Sequence, residues 1–240
     1  MIEELVQRLR GAKAVFVLTG SGISAESGLP TFRGVGGLWR THRVTELASP
    51  EGFARDPVLV WSWYNERRAA HRNAQPSSAH VALARIEPLF GEFTLATQNV
   101  DSLHLRAGSR NVLELHGHLR EARCSRCGST CVLDGALSAD EIAHACGGNF
   151  RPEIVWFGES LPQKQWGLAA EAAARADVKL VIGTSGIVQP AASLATGYGS
   201  GWTVEINPEA TAISALVDAS LRARASDVLP DVAAQLTAEV

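Results

Sequence analysis

The chain has 240 residues, of which 46% are hydrophobic and 20% charged, and its formal net charge at pH 7 is −3. This composition is typical of a globular enzyme with one large domain, alone or with a small insert. The small negative charge, and the lack of an apolar run of about 20 residues, argue against nucleic acid or a membrane as a partner. Residues Met1–Arg10 form an amphipathic helix pattern, with acidic residues where a signal peptide would be basic, so we expect a cytoplasmic protein.

Strand and helix patterns alternate along most of the chain. Apolar runs predict buried strands at Ala14–Leu18, Phe93–Thr97, Val178–Ile182 and Thr203–Ile206. Helical patterns lie at Pro57–Ala74, Ser78–Ile86, Gln165–Ala176 and Leu229–Ala238. The alternation predicts an α/β fold with a doubly wound parallel sheet. Polar or glycine residues follow each strand, and ligands bind beyond the carboxyl ends of such strands, so we expect one shared site there.

The first strand leads into the pattern Gly20-x-Gly22-x-x-Ala25. Such a loop between a strand and a helix is typical of a dinucleotide site. The first glycine permits a tight turn, the second lets backbone N–H groups approach the pyrophosphate, and a small third residue lets the helix lie close to the strand. Further along the loop, Arg33 can pair with pyrophosphate, and Phe32 can cover a flat ring. A plain structural turn is the alternative.

Two later strand ends carry further candidates. Gln98, Asn99 and Asp101 offer donors and acceptors that suit a carboxamide and ribose hydroxyls, although a polar turn that caps a helix is also consistent with them. His116 follows an alternating apolar run. A histidine that faces a cleft from a strand end suits a general base near neutral pH, and a structural histidine is the alternative.

Two segments interrupt the alternation and predict a smaller lobe. Residues 34–77 are helical and rich in tryptophan, and residues 117–151 contain all four cysteines. We therefore expect a single domain whose large lobe consists of residues 1–33, 78–116 and 152–240.

The cysteine spacing indicates a zinc site in this lobe. Cys124-x-x-Cys127 has the spacing of a structural zinc knuckle, and Cys146 supplies a return half that lacks a second cysteine three residues earlier. A structural site needs four ligands. Cys131 is the predicted fourth ligand and His144 its competitor, and a fold without metal is the alternative.

Together these motifs resemble those of the sirtuins, the NAD-dependent protein-lysine deacylases. The matching segments are Gly20–Gly34, Thr97–His104, Leu115–Gly117, Arg151–Glu159, Gly183–Ser185 and Val204–Asn207. The resemblance implies a Rossmann-like large lobe and a small lobe made of a helical and a zinc-ribbon-like insert, with NAD and an acyl-lysine peptide between them.

The resemblance also implies site residues. His116 would be the catalytic base. The residues expected to contact NAD are Gly20, Ser21, Gly22, Ala25, Phe32, Arg33, Gln98, Asn99, Asp101, Gly183, Thr184, Ser185, Asn207, Pro208, Glu209 and Ala225. The residues expected to contact the substrate are Tyr64, Arg67, Val155, Phe157, Gly158 and Val188.

In the reaction that the resemblance implies, NAD is consumed as a co-substrate. The substrate amide oxygen attacks the ribose carbon as nicotinamide leaves, which gives an imidate intermediate. His116 accepts a proton from a ribose hydroxyl, and this hydroxyl attacks the imidate, so that the products are free lysine and acyl-ADP-ribose. The peptide backbone would pair as a strand with Val155–Glu159 and Gly186–Val188, by β-augmentation. We expect a monomer.

One predicted helix indicates which type of acyl group the substrate carries. Tyr64 and Arg67 are three residues apart and so share a face, where a phenol and a guanidinium can bind a carboxylate. With the small Ala48, the pair resembles the sirtuin branch that removes malonyl, succinyl and glutaryl groups. A solvated arginine beside a packing tyrosine is the alternative, and would leave a plain deacetylase.

Two hypotheses that assign the chain to another class of protein remain open at this point. A dehydrogenase that uses the same glycine loop would transfer a hydride to the nicotinamide. A non-enzymatic zinc-ribbon module would bind a partner without chemistry.

Overall fold

The structure is a computed structural model that describes residues 1–31 and 44–238. The strands in this part are β1 (Ala14–Thr19), β2 (Glu92–Thr97), β3 (Val112–Glu114), β4 (Gly117–Cys124), β5 (Thr130–Val132), β6 (Phe150–Ile154), β7 (Val178–Ile182), β8 (Trp202–Ile206) and β9 (Ala219–Leu221). The helices are α1 (Ile2–Gly11), α2 (Val44–Leu47), α3 (Pro50–Arg55), α4 (Pro57–Asn73), α5 (Ser78–Ile86), α6 (Leu103–Arg106), α7 (Gln163–Arg175), α8 (Ser193–Thr196) and α9 (Ala225–Thr237).

Six strands form a parallel sheet in the order β3-β2-β1-β7-β8-β9. From β1 the chain adds β2 and then β3 on one side, and it later adds β7, β8 and β9 on the other side. In an open α/β sheet this reversal opens a crevice at the carboxyl ends of the two central strands. The loops after β1 and β7 therefore meet.

Helices cover both faces of this sheet because its strands are apolar on both sides. Val15 and Val17 of β1 join the cluster that α1, α5 and α9 bury. Phe16 and Leu18, which point the opposite way, join the cluster under α7 and α8. This is the doubly wound arrangement that the sequence predicts.

A second, antiparallel sheet has the order β5-β4-β6. It shares a hydrophobic cluster with the helical insert, in which Trp61, Trp63 and Tyr64 of α4 meet Leu119 of β4 and Ile154 of β6. The tryptophan-rich segment and the cysteine-containing segment therefore pack together beside the large sheet.

The four predicted strands and their α/β order are confirmed, and the differences are local. The segment after β1 is a 3-10 helix over Ser21–Ser27, which ends at Gly28 in the left-handed region at φ 79°. α9 begins at Ala225, four residues earlier than the predicted Leu229. The two edge strands β3 and β9 were not among the predicted strands, because a three-residue strand carries too short a pattern. None of the described helices is both long and apolar enough to span a bilayer.

Candidate active site

A cleft of about 840 Å³ opens at the carboxyl ends of the central strands, between the two sheets. Most of the predicted site residues line it. They are Gly20, Ser21, Gly22, Ala25, Tyr64, Arg67, Gln98, Asn99, His116, Val155, Phe157, Gly158, Gly183, Thr184, Ser185, Val188, Asn207, Pro208, Glu209 and Ala225. Phe32 and Arg33 lie outside the described residues. Asp101 does not line the cleft and lies behind its wall.

The glycines at the base of the cleft are required by contact between two loops. A Cβ on Gly22 would lie 2.7 Å from Cα of Gly183, and a Cβ on Gly20 would lie 2.9 Å from the Gly183 carbonyl oxygen. The backbone N–H of Gly22 donates to that oxygen at 2.8 Å. The glycine pattern after β1 is therefore required by the close approach of the loop after β7.

His116 follows β3 and enters the cleft beside Gln98. Its Nδ1 lies 3.0 Å from the backbone carbonyl oxygen of Gln98. A carbonyl only accepts, so Nδ1 carries the hydrogen and Nε2 is the basic nitrogen. Burial lowers the pKa of His116, and the hydrogen bond from Nδ1 to Gln98 partly offsets this effect. The ring is therefore neutral at pH 7 and can accept a proton.

A layer of polar side chains lies behind the cleft wall. Ser24 Oγ donates to Asp101 Oδ2 at 2.8 Å and accepts from the Asn99 amide at 3.1 Å. His80 Nδ1 accepts the backbone N–H of Ser77 at 3.1 Å, so the ring hydrogen is on Nε2, which lies 3.5 Å from Ser24 Oγ. Burial lowers the pKa of His80 to about 4. Burial also raises the pKa of Asp101, against its hydrogen bonds.

Sequence reasoning missed Ser24 and His80, and also the buried pair Thr19 and His104, whose Oγ1 and Nε2 lie 3.0 Å apart. The available signal was a histidine among the small apolar residues of α5. A buried imidazole needs a hydrogen-bond partner, so its presence predicts a polar neighbour inside the fold.

Tyr64 and Arg67 of α4 also line the cleft, at 3% and 8% exposure. The Arg67 guanidinium lies over the Trp63 ring, 4.7 Å from its centroid. The indole N–H of Trp156 donates to the Tyr64 hydroxyl at 3.0 Å. Burial raises the pKa of Tyr64 to about 12 and lowers the pKa of Arg67 to about 10. At pH 7 the phenol is neutral and the guanidinium is charged.

The loop after β8 forms the remaining wall. Asn207 Nδ2 donates to the Thr184 carbonyl at 3.0 Å, which joins this loop to the loop after β7. Glu205, 1% exposed, accepts from Ser214 Oγ and from Arg222 Nη1, each at 2.7 Å. Burial opposes its ionisation, but hydrogen bonds from three hydroxyls and from Arg222 outweigh burial and lower its pKa.

Three cysteines and one histidine meet at the end of β4. Cys124 Sγ lies 3.5 Å from Cys146 Sγ, and Cys127 Sγ lies 3.7 Å from His144 Nδ1. All four ligand atoms lie within 4.8 Å of one another. A tetrahedron of sulfur ligands about 2.3 Å from zinc has edges of about 3.8 Å, so this group fits a zinc ion.

The predicted fourth ligand, Cys131, is not in this group, and its competitor His144 is. Cys131 pairs with Ala122 in the β4–β5 ladder and packs against the hydrophobic cluster of the small lobe. Residue spacing could not show this, because the position of Cys131 is set by strand register.

The fold and the cleft define a Rossmann-like α/β protein with a dinucleotide-type glycine loop and a second lobe over its sheet. The Sir2 family model matches residues 20–190. A relative from Pyrobaculum aerophilum, NAD-dependent protein deacylase 2, is 50% identical over 226 residues, which are 92% of this chain and 90% of the relative. The chain therefore belongs to the Sir2 family.

Two solved structures extend this likeness to the whole fold. A Sir2 homologue in complex with NAD has a TM-score of 0.90 at 44% identity, and the match covers 99% of this chain and 94% of the homologue's chain. A complex of Sir2 with a p53 peptide and NAD+ has a TM-score of 0.86 at 29% identity and covers 98% of each chain.

Proposed function

We propose that this chain is an NAD-dependent protein-lysine deacylase that removes acidic acyl groups, such as succinyl and malonyl, and acetyl more weakly. Its Sir2 relatives are NAD-dependent protein deacylases by name. The preference for acidic acyl groups depends on two residues of α4, Tyr64 and Arg67.

The buried cation in the cleft wall carries this preference. Arg67 and Tyr64 line the same cleft as His116, and Arg67 stays charged at neutral pH because its lowered pKa is still about 10. Asp101 interacts electrostatically with Arg67 and favours its charged form. A succinyl or malonyl carboxylate can add a bidentate, charge-assisted hydrogen bond to the guanidinium, which an acetyl group cannot form.

His116 is the proposed base. With its hydrogen fixed on Nδ1 by the Gln98 carbonyl, the neutral ring accepts a proton at Nε2 from a ribose hydroxyl. NAD, as the co-substrate, supplies an electrophilic ribose carbon and the nicotinamide leaving group. The protein holds the two substrates in line and keeps water from the ribose carbon while the amide oxygen attacks it. The ribose hydroxyl then attacks the resulting imidate, and one water releases the lysine.

The remaining assignments follow from position. We assign NAD to the predicted residues at the ends of β1, β2, β7 and β8, with Asp101 acting through Ser24 rather than directly. The peptide lies between the segments near Phe157 and Val188, and the Phe157 side chain is 44% exposed. Strand pairing there, a monomeric state and the two lobe boundaries are part of the proposal. A cytoplasmic location is also part of the proposal, because three of the four cysteines belong to the candidate zinc site rather than to disulfides.

The test gives the purified chain NAD and matched peptides that carry acetyl-, succinyl- or malonyl-lysine, and measures products by mass spectrometry. We expect nicotinamide and acyl-ADP-ribose, with a higher kcat/KM for the acidic groups than for acetyl. Arg67→Met removes the guanidinium that pairs with the carboxylate of the acyl group. It should therefore lower kcat/KM for the succinyl peptide by at least about 30-fold and leave kcat/KM for the acetyl peptide unchanged.

The matched control is Arg72→Met, which changes an exposed arginine on the same helix. It should alter neither activity. Equal loss of succinyl and acetyl removal in Arg67→Met would favour a plain deacetylase.

A further inference from the structure

We propose that Trp156 is a positioning residue for acyl specificity: its indole N–H holds the Tyr64 hydroxyl so that the phenol hydrogen points at the carboxylate of the acyl chain. This inference rests on the proposed preference for acidic acyl groups. It adds a specificity residue from the segment after β6 to the Tyr64 and Arg67 pair on α4.

The contact between the two side chains is direct and buried. Trp156 Nε1 lies 3.0 Å from the Tyr64 oxygen, and the residues are 2% and 3% exposed. They are 92 positions apart in the chain. Both line the cleft, so the contact lies at the wall that an acyl group would touch.

The chemistry of the two groups fixes the direction of the bond. An indole nitrogen only donates, whereas a phenol oxygen both donates and accepts. Trp156 therefore makes the Tyr64 oxygen an acceptor, and the phenol hydrogen must find another partner. Among the described residues the Tyr64 hydroxyl has no other hydrogen bond. A carboxylate of the acyl chain is an acceptor that suits this hydrogen, beside the Arg67 guanidinium.

The Trp156 ring is itself held from behind. The Arg151 guanidinium lies over this ring at 3.5 Å from its centroid. Glu159 Oε2 accepts from Arg151 Nη2 and from the backbone N–H of Trp156, each at 2.8 Å. Arg151 thus holds the face of the indole ring, and Glu159 holds the backbone of Trp156. The indole N–H therefore keeps one direction.

The phenol stays a donor through the working pH range. Desolvation raises the Tyr64 pKa to about 12, and the hydrogen bond from Trp156 and the Arg67 charge oppose this rise. At pH 7 to 9 the group is therefore protonated and its hydrogen is available for donation.

The first experiment compares succinyl- and acetyl-lysine peptides in Trp156→Phe. The variant keeps an aromatic ring and loses the N–H. We expect kcat/KM for the succinyl peptide to fall about tenfold, equivalent to about 1.4 kcal/mol. The change should lie mainly in KM, with acetyl removal within about twofold of the unsubstituted protein.

A second variant separates the lost N–H from the lost volume. Incorporation of 3-benzothienylalanine at position 156 replaces the N–H by sulfur and keeps the bicyclic shape. It should reproduce the loss for succinyl, with an unchanged melting temperature. This variant also serves if Trp156→Phe fails to fold.

A double-mutant cycle tests whether Trp156 acts through Tyr64. In a Tyr64→Phe background the loss of the Trp156 N–H should cause no further change in the succinyl-to-acetyl ratio. The matched control is Trp61→Phe, since Trp61 is also buried in the small lobe and donates to the Phe150 carbonyl at 2.8 Å. It should lower stability without a change in that ratio.

The outcomes separate this inference from the proposed function. If Tyr64→Phe loses succinyl removal and the benzothienyl variant does not, the inference on Trp156 is wrong and the acidic-acyl proposal stands. An equal loss for both peptides, or a full further loss in the Tyr64→Phe background, also overturns it. If the unsubstituted protein does not prefer acidic acyl groups, both proposals fail.

Discussion

His116 Nδ1 lies 3.0 Å from the carbonyl oxygen of Gln98, and this single contact decides which nitrogen can act as a base. The carbonyl belongs to the residue directly after β2, in the same strand-end segment as Asn99. The strand end that borders the nicotinamide side of the proposed site thus also sets the tautomer of the base.

The pH dependence of activity tests this assignment. Burial lowers the pKa of His116, so we expect kcat/KM to fall on the acid side with an apparent pKa below 6.5, the usual value for histidine. His116→Ala should lower kcat by about 10²–10⁴-fold, the usual contribution of a general base, and leave the melting temperature nearly unchanged. An acid limb above pH 7, or an active alanine variant, would contradict the role.

Much of this site was predictable because its residues follow strands directly. A buried strand can be recognised in one short window, and the residues after it then share one edge of the sheet. This holds for Gly20, Gln98, His116 and Ser185, all of which line the cleft.

The missed contacts join residues that are distant in the chain. Ser24 and His80 are 56 positions apart, and Tyr64 and Trp156 are 92 apart. Each pair meets only because separate elements pack together, and no local pattern encodes that packing. The exchange of Cys131 for His144 has the same origin, since strand register placed Cys131 against an apolar cluster.

Stability should fall in mild acid because of the buried histidines. Burial lowers the pKa of His80 to about 4, below the 6.5 of the unfolded chain. Between these values the unfolded state binds more protons, so the unfolding free energy decreases as pH falls from 6.5, by up to about 1.4 kcal/mol per pH unit for this group. Above pH 6.5 this contribution is fully present.

Urea unfolding at pH 7 and pH 5 measures this effect. In His80→Gln the difference in unfolding free energy between the two pH values should be smaller than in the unsubstituted protein. An identical difference would show that His80 does not titrate with unfolding.

The metal ligands can be distinguished by zinc content and stability. Loss of a residue that only hydrogen-bonds to a zinc ligand lowers zinc affinity by about 10–100-fold. His144→Ala removes a ligand itself, so it should lower zinc affinity by more than this and should also lower the melting temperature. Cys131→Ala is the control and should retain full zinc content, because Cys131 is not in the ligand group. The reverse result would restore Cys131 as the fourth ligand.

Gly183 should be intolerant of any side chain, although its neighbours are small. Its φ is 60°, and an added Cβ would lie 2.5 Å from the backbone nitrogen of Ile23. The left-handed conformation alone costs about 1–3 kcal/mol, and the overlap must push the loop after β1 away. Gly183→Ala should therefore lower the unfolding free energy and also raise KM for NAD.

Gly167→Ala is the matched comparison, since Gly167 lies inside α7 and an added Cβ would meet, within 4 Å, no atom of the described residues beyond its own stretch of helix. Removal of a helix-interior glycine should stabilise the protein by about 1 kcal/mol and leave KM for NAD unchanged. Urea unfolding and steady-state kinetics on both variants give the comparison. If Gly183→Ala behaves like Gly167→Ala, the close approach of the two loops is not needed for nucleotide binding.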